Sequence, residues 1–581
     1  MPRIAIVDRE KCSPSKCADL CIKLCPVNRT GAECITKDEK AVIDETLCTG
    51  CGICSNRCPF EAISIINLPE ELDKPPIHKY GQNGFHLYNL PIPVFGKVVG
   101  ILGRNGIGKS TAIQILAGLL KPNMGEIGKE ASDAELIDFF KGTEAQTFFE
   151  KLSKGDIRIS YKLQQVDMIA KTQKGTIREL LEKVDERGKF DEVVEELDLA
   201  NFLDTDVSKV SGGELQRVAI AATALKKANI YFFDEPTSYL DIKQRIRISK
   251  FIRSLADDDT AVMLIEHDLI ILDYMTDNVH LMYGKPSAYG IVSQPKATKT
   301  GINVYLSGYL KEENVRFRDK PIQFLEKLPK TSKEQQELVS WQDIQKKLGS
   351  FQLKAEEGRI IRKDVSGILG PNGIGKTSFV KLLAGVDKPD SGELDEQITV
   401  SYKPQYLESG EKLVMDVLKD TLSKFDALIV RPFELKSLLT KKLSELSGGE
   451  LQKVAIAACL TKDADLYLLD EPSAYLDVEQ RLIASRVIRD FMEQKGRSAL
   501  VVDHDLLFVD YISDSLMVFD GVPAKEGTAR GPFEMEEGMN MFLEDLKTTL
   551  RRDPENRRPR VNKPDSQMDQ KQKREGKLYY S

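Results

Sequence analysis

The chain has 581 residues, with 83 Lys and Arg against 90 Asp and Glu, so its formal net charge is −7. Apolar residues make up 41% and charged residues 30%, ordinary values for a globular chain, which exclude a disordered chain, a collagen and a disulfide-rich module. There is no apolar run of the ~18 residues that a membrane span needs and no signal peptide, so we expect a soluble, cytoplasmic protein without a membrane partner.

The first 58 residues hold nine of the ten cysteines. In a chain without an export signal, disulfides explain that density poorly, which leaves metal ions or iron–sulfur clusters. The second cysteine run has the spacing of bacterial ferredoxins, in which three cysteines bind one cluster and the fourth binds the other. It comprises Cys48, Cys51, Cys54 and Cys58. The first run has looser spacing but also ends in Cys-Pro, and comprises Cys12, Cys17, Cys21 and Cys25.

The two runs together predict two 4Fe–4S clusters with crossed ligands. One cluster takes Cys25, Cys48, Cys51 and Cys54, and the other takes Cys12, Cys17, Cys21 and Cys58. Cys34 is left over as a buried structural thiol. Structural zinc is the alternative, although zinc sites favour paired CxxC knuckles. We place this ferredoxin-like domain at 1–75, before a linker that begins at Pro75-Pro76.

An internal repeat occupies most of the remaining chain. GRNGIGKST at 103–111 recurs as GPNGIGKTS at 370–378, SGGELQR at 211–217 as SGGELQK at 447–453, and YFFDEPTSYLD at 231–241 as YLLDEPSAYLD at 467–477. Short apolar runs alternate with helical stretches in both copies, which is typical of a parallel α/β sheet. One α/β domain has therefore been duplicated, and we place its copies at 76–295 and 320–525.

The first copy carries 26 residues more than the second between the glycine-rich loop and the next matching glutamine. The extra stretch, about 131–155, predicts two short amphipathic helices that break at Gly142 and have N-caps at Ser132 and Thr143. Four phenylalanines supply their apolar faces: Phe139, Phe140, Phe148 and Phe149. Because the second copy does without these helices, we expect them to be dispensable for the nucleotide site and to contact a partner. The alternative is that the paired phenylalanines cover a local core, so that deletion would destabilise the domain.

Each glycine-rich loop has the GxxxxGK[ST] pattern, whose backbone N–H groups cradle phosphates at a helix N-terminus. The lysine can reach the β- and γ-phosphates, and the next hydroxyl can bind Mg²⁺. The predicted ATP- and Mg²⁺-binding residues are Asn105, Gly106, Gly108, Lys109, Ser110 and Thr111 in the first copy and Asn372, Gly373, Gly375, Lys376, Thr377 and Ser378 in the second.

Each copy also has an apolar run that ends in Asp-Glu. Asp234 and Asp470 end predicted strands, where a second Mg²⁺ partner is expected. Glu235 and Glu471 come next and could polarise the attacking water. An isolated salt-bridged carboxylate does not explain the same pattern in both copies, so the sequence predicts two sites of ATP hydrolysis.

These motifs resemble the ATP-binding cassette superfamily, from residue 76 to about 525. In that superfamily the SGGE segment of one domain completes the nucleotide site of the other. The resemblance implies that Ser447, Gly448, Gly449 and Glu450 face the first glycine-rich loop, and that Ser211, Gly212, Gly213 and Glu214 face the second. It also implies that water and the γ-phosphate are contacted by Gln164, Gln405, His267 and His504. Aromatics that could stack on adenine, or could simply be core residues, are Tyr80, Phe85 and Phe351.

The whole chain resembles the ribosome-recycling ATP-binding cassette family of archaea and eukaryotes, also called the ribonuclease L inhibitor family. The resemblance rests on a two-cluster domain fused to two cassettes, on the irregular first cysteine run and on the inserted helices. It implies an ATPase that closes its cassettes head to tail, moves a rigid iron–sulfur domain and splits ribosomal subunits. The implied partners are ribosomal subunits, the small one and its rRNA especially, and a release-factor-like protein. The chain itself would be a monomer, with hinges at 296–319 and 526–581.

Two other functions are compatible with the motifs at this stage. The chain could be an ATP-gated electron-transfer protein, with the ferredoxin-like domain as the donor, or the soluble ATPase subunit of a transporter. The C-terminal stretch 551–581 carries ten Lys and Arg against five Asp and Glu. It could be a solvated end or an ordered segment pressed against another part of the chain.

Overall fold

The structure is a computed structural model of the chain. It describes residues 3–67, 75–318, 320–322, 324, 336–394, 398–405 and 410–579. The predicted hinge boundary at residue 319 lies outside the described residues, as does the end of the predicted C-terminal segment at 580–581.

The N-terminal domain has two small antiparallel sheets, β1 with β4 and β2 with β3. Its core is small, and buried cysteines such as Cys12, Cys25 and Cys54 lie among its few apolar side chains. A unit of this size has little apolar surface to bury, so cross-links through bound metal would add much of its stability. Its elements are β1 (Arg3–Val7), α1 (Pro14–Cys17), α2 (Leu20–Leu24), α3 (Pro26–Arg29), β2 (Ile35–Lys37), β3 (Ala41–Ile43), α4 (Ile53–Arg57) and β4 (Ile63–Asn67).

The first cassette is built on one mixed sheet of nine strands. The strand order is β5-β6-β12-β11-β7-β10-β9-β8, with β13 beside β11. Strands β11, β7, β10, β9 and β8 run parallel, and β7, β9 and β10 are buried along their whole length, as expected for a sheet covered on both faces. The strands are β5 (His78–Lys79), β6 (His86–Tyr88), β7 (Val98–Gly103), β8 (Ile159–Lys162), β9 (Ile230–Asp234), β10 (Ala261–Ile265), β11 (Asn278–Lys285), β12 (Tyr289–Val292) and β13 (Lys296–Ala297).

The helices of this cassette cover the sheet and begin where the sequence provides caps. Ser211, Asp241 and Asp268 each accept a backbone N–H at the start of a helix. The helices are α5 (Lys109–Leu116), α6 (Asp133–Phe139), α7 (Glu144–Ser153), α8 (Asp167–Thr172), α9 (Ile177–Val184), α10 (Phe190–Glu196), α11 (Gly212–Leu225), α12 (Ile242–Ser254) and α13 (Leu269–Met275).

The inserted stretch forms the two predicted helices, α6 and α7. Ser132 caps α6 through a capping box with Glu135, and Gly142 takes a positive φ of 79° between the helices. Their phenylalanines do not form a separate surface. Phe140, Phe148 and Phe149 are buried in the same core cluster as the sheet residues and α5. This burial favours the alternative that the phenylalanines cover a local core, because removal of the hairpin would expose that core.

The second cassette repeats this architecture in a ten-stranded sheet of order β18-β16-β17-β25-β24-β19-β23-β22-β21, with β20 beside β16. The sheet continues past the predicted boundary at residue 525, since β25 pairs with both β24 and β17. The strands are β16 (Glu337–Leu348), β17 (Phe351–Ala355), β18 (Gly358–Ile361), β19 (Val365–Leu369), β20 (Ser391–Leu394), β21 (Val400–Lys403), β22 (Leu466–Asp470), β23 (Ser498–Val502), β24 (Ser515–Val522) and β25 (Glu526–Glu534). The helices are α15 (Lys376–Leu383), α16 (Val414–Val417), α17 (Lys419–Lys424), α18 (Gly448–Thr461), α19 (Val478–Lys495) and α20 (Leu506–Ile512).

The segment between the cassettes and the C-terminal segment are both ordered in their described parts. The first contains α14 (Thr298–Ser307), β14 (Tyr309–Leu310) and β15 (Val315–Arg316), and the second contains α21 (Met535–Asp545), β26 (Leu550–Arg552), β27 (Pro559–Val561) and α22 (Gln567–Glu575). The basic C-terminal residues pair with buried carboxylates of both cassettes: Arg558 and Arg560 with Asp273 in α13, and Arg552 with Asp510 in α20. This confirms the ordered alternative for 551–579.

Candidate nucleotide and iron–sulfur sites

The two glycine-rich loops connect a buried strand to a helix in the same way. Each helix begins at the lysine, and the preceding Gly108 and Gly375 have φ values of 88° and 93°, which only glycine adopts without strain. Lys109 Nζ donates to the carbonyls of Gly103 and Arg104 at 2.9 and 2.7 Å, and Lys376 makes the same contacts in its own loop. The loops thus place open backbone N–H groups and a lysine at a helix N-terminus, which suits a polyphosphate.

The aspartates at the ends of β9 and β22 lie next to the hydroxyls that follow these lysines. Thr377 Oγ1 donates to Asp470 Oδ2 at 2.8 Å, and Ser110 is a hydrogen-bonding neighbour of Asp234. Burial raises the pKa of both aspartates. Asp234 Oδ1 is buried and has no hydrogen-bond partner within the described chain. A buried carboxylate oxygen beside a hydroxyl fits Mg²⁺, which prefers oxygen ligands.

Three side chains of the first cassette lie beside the carboxylate of Glu235. Gln164 Nε2 donates to its Oε1 at 2.8 Å, Ser238 Oγ donates to Oε2 at 3.2 Å, and His267 Nε2 lies 3.5 Å from Oε1. Burial raises the pKa of Glu235, but the neighbouring His267, Lys109 and Ser238 outweigh it and bring that pKa to about 2. The carboxylate is therefore ionised at neutral pH, the state in which both of its oxygens can accept hydrogen bonds from water.

The second copy has the same arrangement with a different charge balance. Gln405 Nε2 donates to Glu471 Oε1 at 2.7 Å, and His504 Nε2 lies 3.8 Å from that oxygen. Burial, with the charges of Asp503 and Asp470, raises the pKa of Glu471 to about 6. The sequence predicted two sites competent for hydrolysis. The pKa of Glu471 is raised by burial, Asp503 and Asp470, whereas His267, Lys109 and Ser238 lower that of Glu235.

The SGGE segments open α11 and α18 with identical capping boxes. The Ser211 and Ser447 hydroxyls accept from the N–H groups of Glu214 and Glu450, whose carboxylates accept from the serine N–H groups in return. At Gly213 and Gly449 an added Cβ would come within 3.0 Å of a backbone oxygen of the same cassette. The glycines at these two positions therefore keep the segment close to the loop that follows Asp-Glu.

Contacts between the cassettes are reciprocal. The backbone N–H of Asn105 donates to Asp477 Oδ2 at 3.0 Å, and that of Asn372 donates to Asp241 Oδ2 at 3.0 Å. Asp241 and Asp477 cap α12 and α19 through their other oxygen. Each glycine-rich loop thus contacts the other cassette, in the head-to-tail arrangement that the sequence resemblance implied. Neither aspartate was predicted as a site residue from the sequence, although each ends the repeated YLD.

One cluster of charges is present beside the first loop and has no counterpart beside the second. Glu479, in α19, lies 3.4 Å from Arg104 Nε of the first glycine-rich loop and 3.3 Å from Arg318 of the segment between the cassettes. The matching positions in the other half are Pro371 and Lys243, and Lys243 pairs with an exposed Asp545 instead.

We expect Glu479→Gln to weaken ATP binding at the site of Lys109 several-fold. The change removes the ion pair with Arg104 and weakens the hydrogen bond that Arg318 donates. Loss of a charge-assisted hydrogen bond costs about 1.5–3 kcal/mol, and here part of that cost falls on the closed interface. The ATP concentration for half-maximal turnover, measured in a Glu471→Gln background, tests this. Lys243→Gln at the matching position is the control, and an equal shift in both variants would contradict the prediction.

The aromatic candidates divide into two groups. Phe85 and Phe351 pack against the glycine-rich loops, where a Cβ added to Gly108 or Gly375 would lie 2.8–3.0 Å from their rings. Tyr80 is 44% exposed, and its hydroxyl lies 3.3 Å from Thr111 Oγ1. Stacking on adenine stays a prediction for all three.

The cysteines are brought together in two groups. One cavity is lined by Cys25, Cys34, Cys48, Cys51 and Cys54, together with apolar side chains. Around Cys21, burial and then the neighbouring Cys17, Cys12 and Cys58 raise the thiol pKa to about 11. Burial and then Cys48, Cys51 and Cys21 raise the pKa of the Cys54 thiol to about 11. Cys34 is buried and lines the same cavity as Cys25 and Cys54. The crossed assignment of the cysteines to two clusters stays a prediction.

The donor chemistry of these groups fits iron–sulfur clusters. Within the described residues, no group of three or more His, Cys, Asp or Glu is arranged to hold a single metal ion. A cubane cluster is larger than one ion, so its four thiolates stand further apart, around a cavity such as the one lined by Cys25 and Cys54.

Comparison with known families agrees with this architecture. The ABC transporter family matches residues 94–238 and 353–474. A family described as a possible Fer4-like domain in RNase L inhibitor matches residues 2–33, and the 4Fe-4S binding domain matches residues 41–64.

Full-length relatives are also found. Translation initiation factor RLI1 of Saccharomyces cerevisiae is 43% identical, over 100% of this chain and 98% of the relative. A model of ribosome-bound archaeal Pelota and ABCE1 superposes with a TM-score of 0.93 at 52% identity, covering 100% of this chain and 99% of that one. The chain belongs to the ABCE1, or RNase L inhibitor, family. A crystal structure of archaeal ribosome recycling factor aABCE1 with the ribosomal stalk protein aP1 superposes with a TM-score of 0.84 at 50% identity, covering 88% of this chain and 100% of that one.

Family membership confirms the predicted fold class and activity. This ABCE1-family chain has an N-terminal 4Fe–4S-binding domain and two ATP-binding cassettes, and it is an ATPase. No helix in the described part of the chain is long and apolar enough to cross a membrane.

Proposed function

We propose that this protein is an ATP-driven ribosome recycling factor of the cytoplasm. Closure of the two cassettes around two ATP molecules moves the iron–sulfur domain and separates the ribosomal subunits. The relatives named above support this proposal, since one is a translation initiation factor and two are ABCE1 structures, with ribosome-bound Pelota and with a stalk protein. The partners proposed here are the small subunit with its rRNA, and a release-factor-like protein.

The reciprocal contacts between the cassettes carry the mechanical part of the proposal. Asn105 meets Asp477 and Asn372 meets Asp241, so ATP bound by either loop also acts on the opposite cassette. In each composite site the lysine and glycine N–H groups bind phosphate, the aspartate and hydroxyl bind Mg²⁺, and the glutamate activates water with help from glutamine and histidine. The SGGE serine and glycines of the opposite cassette complete each site.

The iron–sulfur domain is attached to the first cassette by specific contacts. The side chain of Asn83 pairs with both backbone groups of Ile43, and Lys79 binds Glu45 at 2.9 Å. We propose that two 4Fe–4S clusters, held by the crossed cysteine sets, make this domain rigid enough to act as a lever. The clusters supply cross-links between short segments whose own core is small.

We expect Cys54→Ala to lower the iron content from about eight to about four per chain, since one of two cubane clusters loses a ligand. The domain should also become more sensitive to proteases, because its small core loses a cross-link. Iron analysis and visible absorbance of anaerobically purified protein measure the effect. Cys459→Ala, at a buried cysteine of the second cassette, should keep all the iron. Stoichiometric zinc without iron in the unmodified protein would refute the assignment.

Sedimentation of purified ribosomes tests the proposed function directly. The protein, ATP and a Pelota-like factor should convert whole ribosomes into subunits on a sucrose gradient. The Lys109→Ala, Lys376→Ala double variant should not bind nucleotide and should not split ribosomes, because both phosphate-binding cations are gone. Intact ribosomes with the unmodified protein, despite measured ATP hydrolysis, would overturn the recycling function while leaving the ATPase assignment in place.

A further inference from the structure

Two buried lysines lie beneath the nucleotide sites and have no role in the sites described so far. Lys162 ends β8 and Lys403 ends β21, and their exposed fractions are 2% and 1%. Lysines are almost never fully buried unless they are paired. The partners here are backbone carbonyls rather than carboxylates, so neither lysine belongs to an ordinary buried salt bridge.

The carbonyls that these lysines bind belong to the Asp-Glu pairs. Lys162 Nζ donates to the carbonyl of Asp234 at 2.8 Å and lies 3.4 Å from that of Glu235. Lys403 Nζ makes the equivalent contacts at 2.7 and 3.3 Å in the second cassette. The contact is therefore the same in both copies, although the next residue is Leu163 in one and Pro404 in the other.

The backbone at the glutamates needs such support. Glu235 and Glu471 both have φ of 46°, a left-handed conformation that costs a residue with a side chain roughly 1–2 kcal/mol. The Glu235 carbonyl also accepts from Gln216 Nε2 at 2.7 Å, and its N–H donates to Ile265. Strained conformations of this kind persist only where surrounding groups hold them, and they set the direction of the side chain.

The end of β8 also fixes the position of the Glu235 carboxylate. Gln164 lies two residues after Lys162 and donates to Glu235 Oε1, so one short segment holds both the backbone and the side chain of the glutamate. Lys403 and Gln405 repeat this relation at Glu471. Fixing the lysine to the carbonyls thus sets the distance between the glutamine and the glutamate that it orients.

We infer that Lys162 and Lys403 are positioning residues for ATP hydrolysis. Each ammonium group holds the Asp-Glu turn, so that the aspartate oxygen faces the Mg²⁺ position and the glutamate faces the attacking water. The inference rests on the catalytic roles proposed for Glu235 and Glu471. A purely structural cation would behave differently, because its loss would lower stability through the unpaired carbonyls without an effect on kcat that depends on Glu235.

The test uses the full-length protein with Glu471→Gln, in which hydrolysis comes from the site of Glu235. Lys162→Met, which keeps the length and removes the charge, should lower kcat at least tenfold and change KM for ATP less than threefold, since the phosphate-binding loop is intact. Lys162→Arg keeps a cation and should recover a substantial part of kcat. Lys296→Met, at a little-exposed lysine that pairs with Glu312 outside the site, is the matched control and should keep kcat.

A second comparison shows whether Lys162 acts through Glu235. Lys162→Met should lower turnover by a much smaller factor when Glu235 is already glutamine than when it is intact, since linked residues are not additive. The inference is overturned if Lys162→Met keeps kcat, if Arg rescues nothing in a variant with an unchanged melting temperature, or if the two changes simply add. If Glu235→Gln itself leaves hydrolysis unchanged, the proposed catalytic role fails instead.

Discussion

Replacing both Glu235 and Glu471 with glutamine should slow ATP hydrolysis by two or more orders of magnitude while nucleotide stays bound. A positioned general base contributes roughly 10²–10⁴ to the rate, and glutamine has the shape of the glutamate without its basicity. Neither carboxylate is placed to bind phosphate, so the glycine-rich loops should retain ATP. With the nucleotide unhydrolysed at both sites, the contacts of Asn105 and Asn372 to the opposite cassette should persist, and the cassettes should remain closed.

The measurement is best made at pH 8. The pKa of Glu235 is about 2 and that of Glu471 about 6, so both carboxylates of the unmodified protein are ionised there. Turnover is followed by phosphate release and trapped nucleotide by gel filtration with labelled ATP. The Lys109→Ala, Lys376→Ala variant is the contrasting control, since it should lose binding as well as hydrolysis. Normal phosphate release by the double glutamine variant would place water activation at other residues.

Much of the site could be predicted because its chemistry is local in sequence. The glycine-rich loop, the SGGE cap and the Asp-Glu pair each need fixed residue types at fixed spacing, and each appears twice. Gln164 and His267 lie beside Glu235, while their contacts with water and the γ-phosphate stay predictions. The cysteines of the two runs also lie close together, with Cys17, Cys12 and Cys58 beside Cys21, while their assignment to two clusters stays a prediction.

The residues that were missed act through long-range contacts. Asp477 meets Asn105 only because the cassettes face each other, and nothing in the local pattern of YLD says which backbone it will bind. From the sequence, Lys162 is expected to be an exposed polar residue at a strand end. Parallel pairing of β8 with β9 instead buries it, and its ammonium group donates to the carbonyl of Asp234. The sequence feature that could have indicated its role is a lysine two residues before the matching glutamine in both copies, Lys162 before Gln164 and Lys403 before Gln405.

Burial of its phenylalanines favours one of the two predictions made for the inserted hairpin, that it covers a local core. The other prediction, that the nucleotide site does without it, rested on the absence of the hairpin from the second cassette. In the structure the hairpin side chains join the core of the first cassette, alongside Ile113 and Leu116 of α5. A segment absent from one copy can still be required by the other, because its neighbours have adapted to its presence.

Deleting residues 132–155 should therefore destabilise the first cassette rather than leave its ATPase intact. Removing a buried phenylalanine side chain costs about 3–5 kcal/mol, and the deletion removes three of them, Phe140, Phe148 and Phe149. We expect a lowered melting temperature and reduced hydrolysis at the site of Lys109, which lies at the start of the adjoining helix. An unchanged melting temperature and normal turnover would show that the cassette closes over the gap.

Contact with the small subunit needs a test that spares this core. Lys141 and Lys154 are exposed at the tip and the end of the hairpin, and the Lys141→Glu, Lys154→Glu double variant would repel RNA phosphates without altering a buried side chain. We expect weaker co-sedimentation with small subunits, a smaller salt dependence of binding and loss of ribosome splitting, at an unchanged melting temperature. Lys183→Glu with Lys226→Glu, at exposed lysines of the same cassette, is the matched control. If both double variants bind small subunits like the unmodified protein, the hairpin is a part of the cassette scaffold and its subunit contact is refuted.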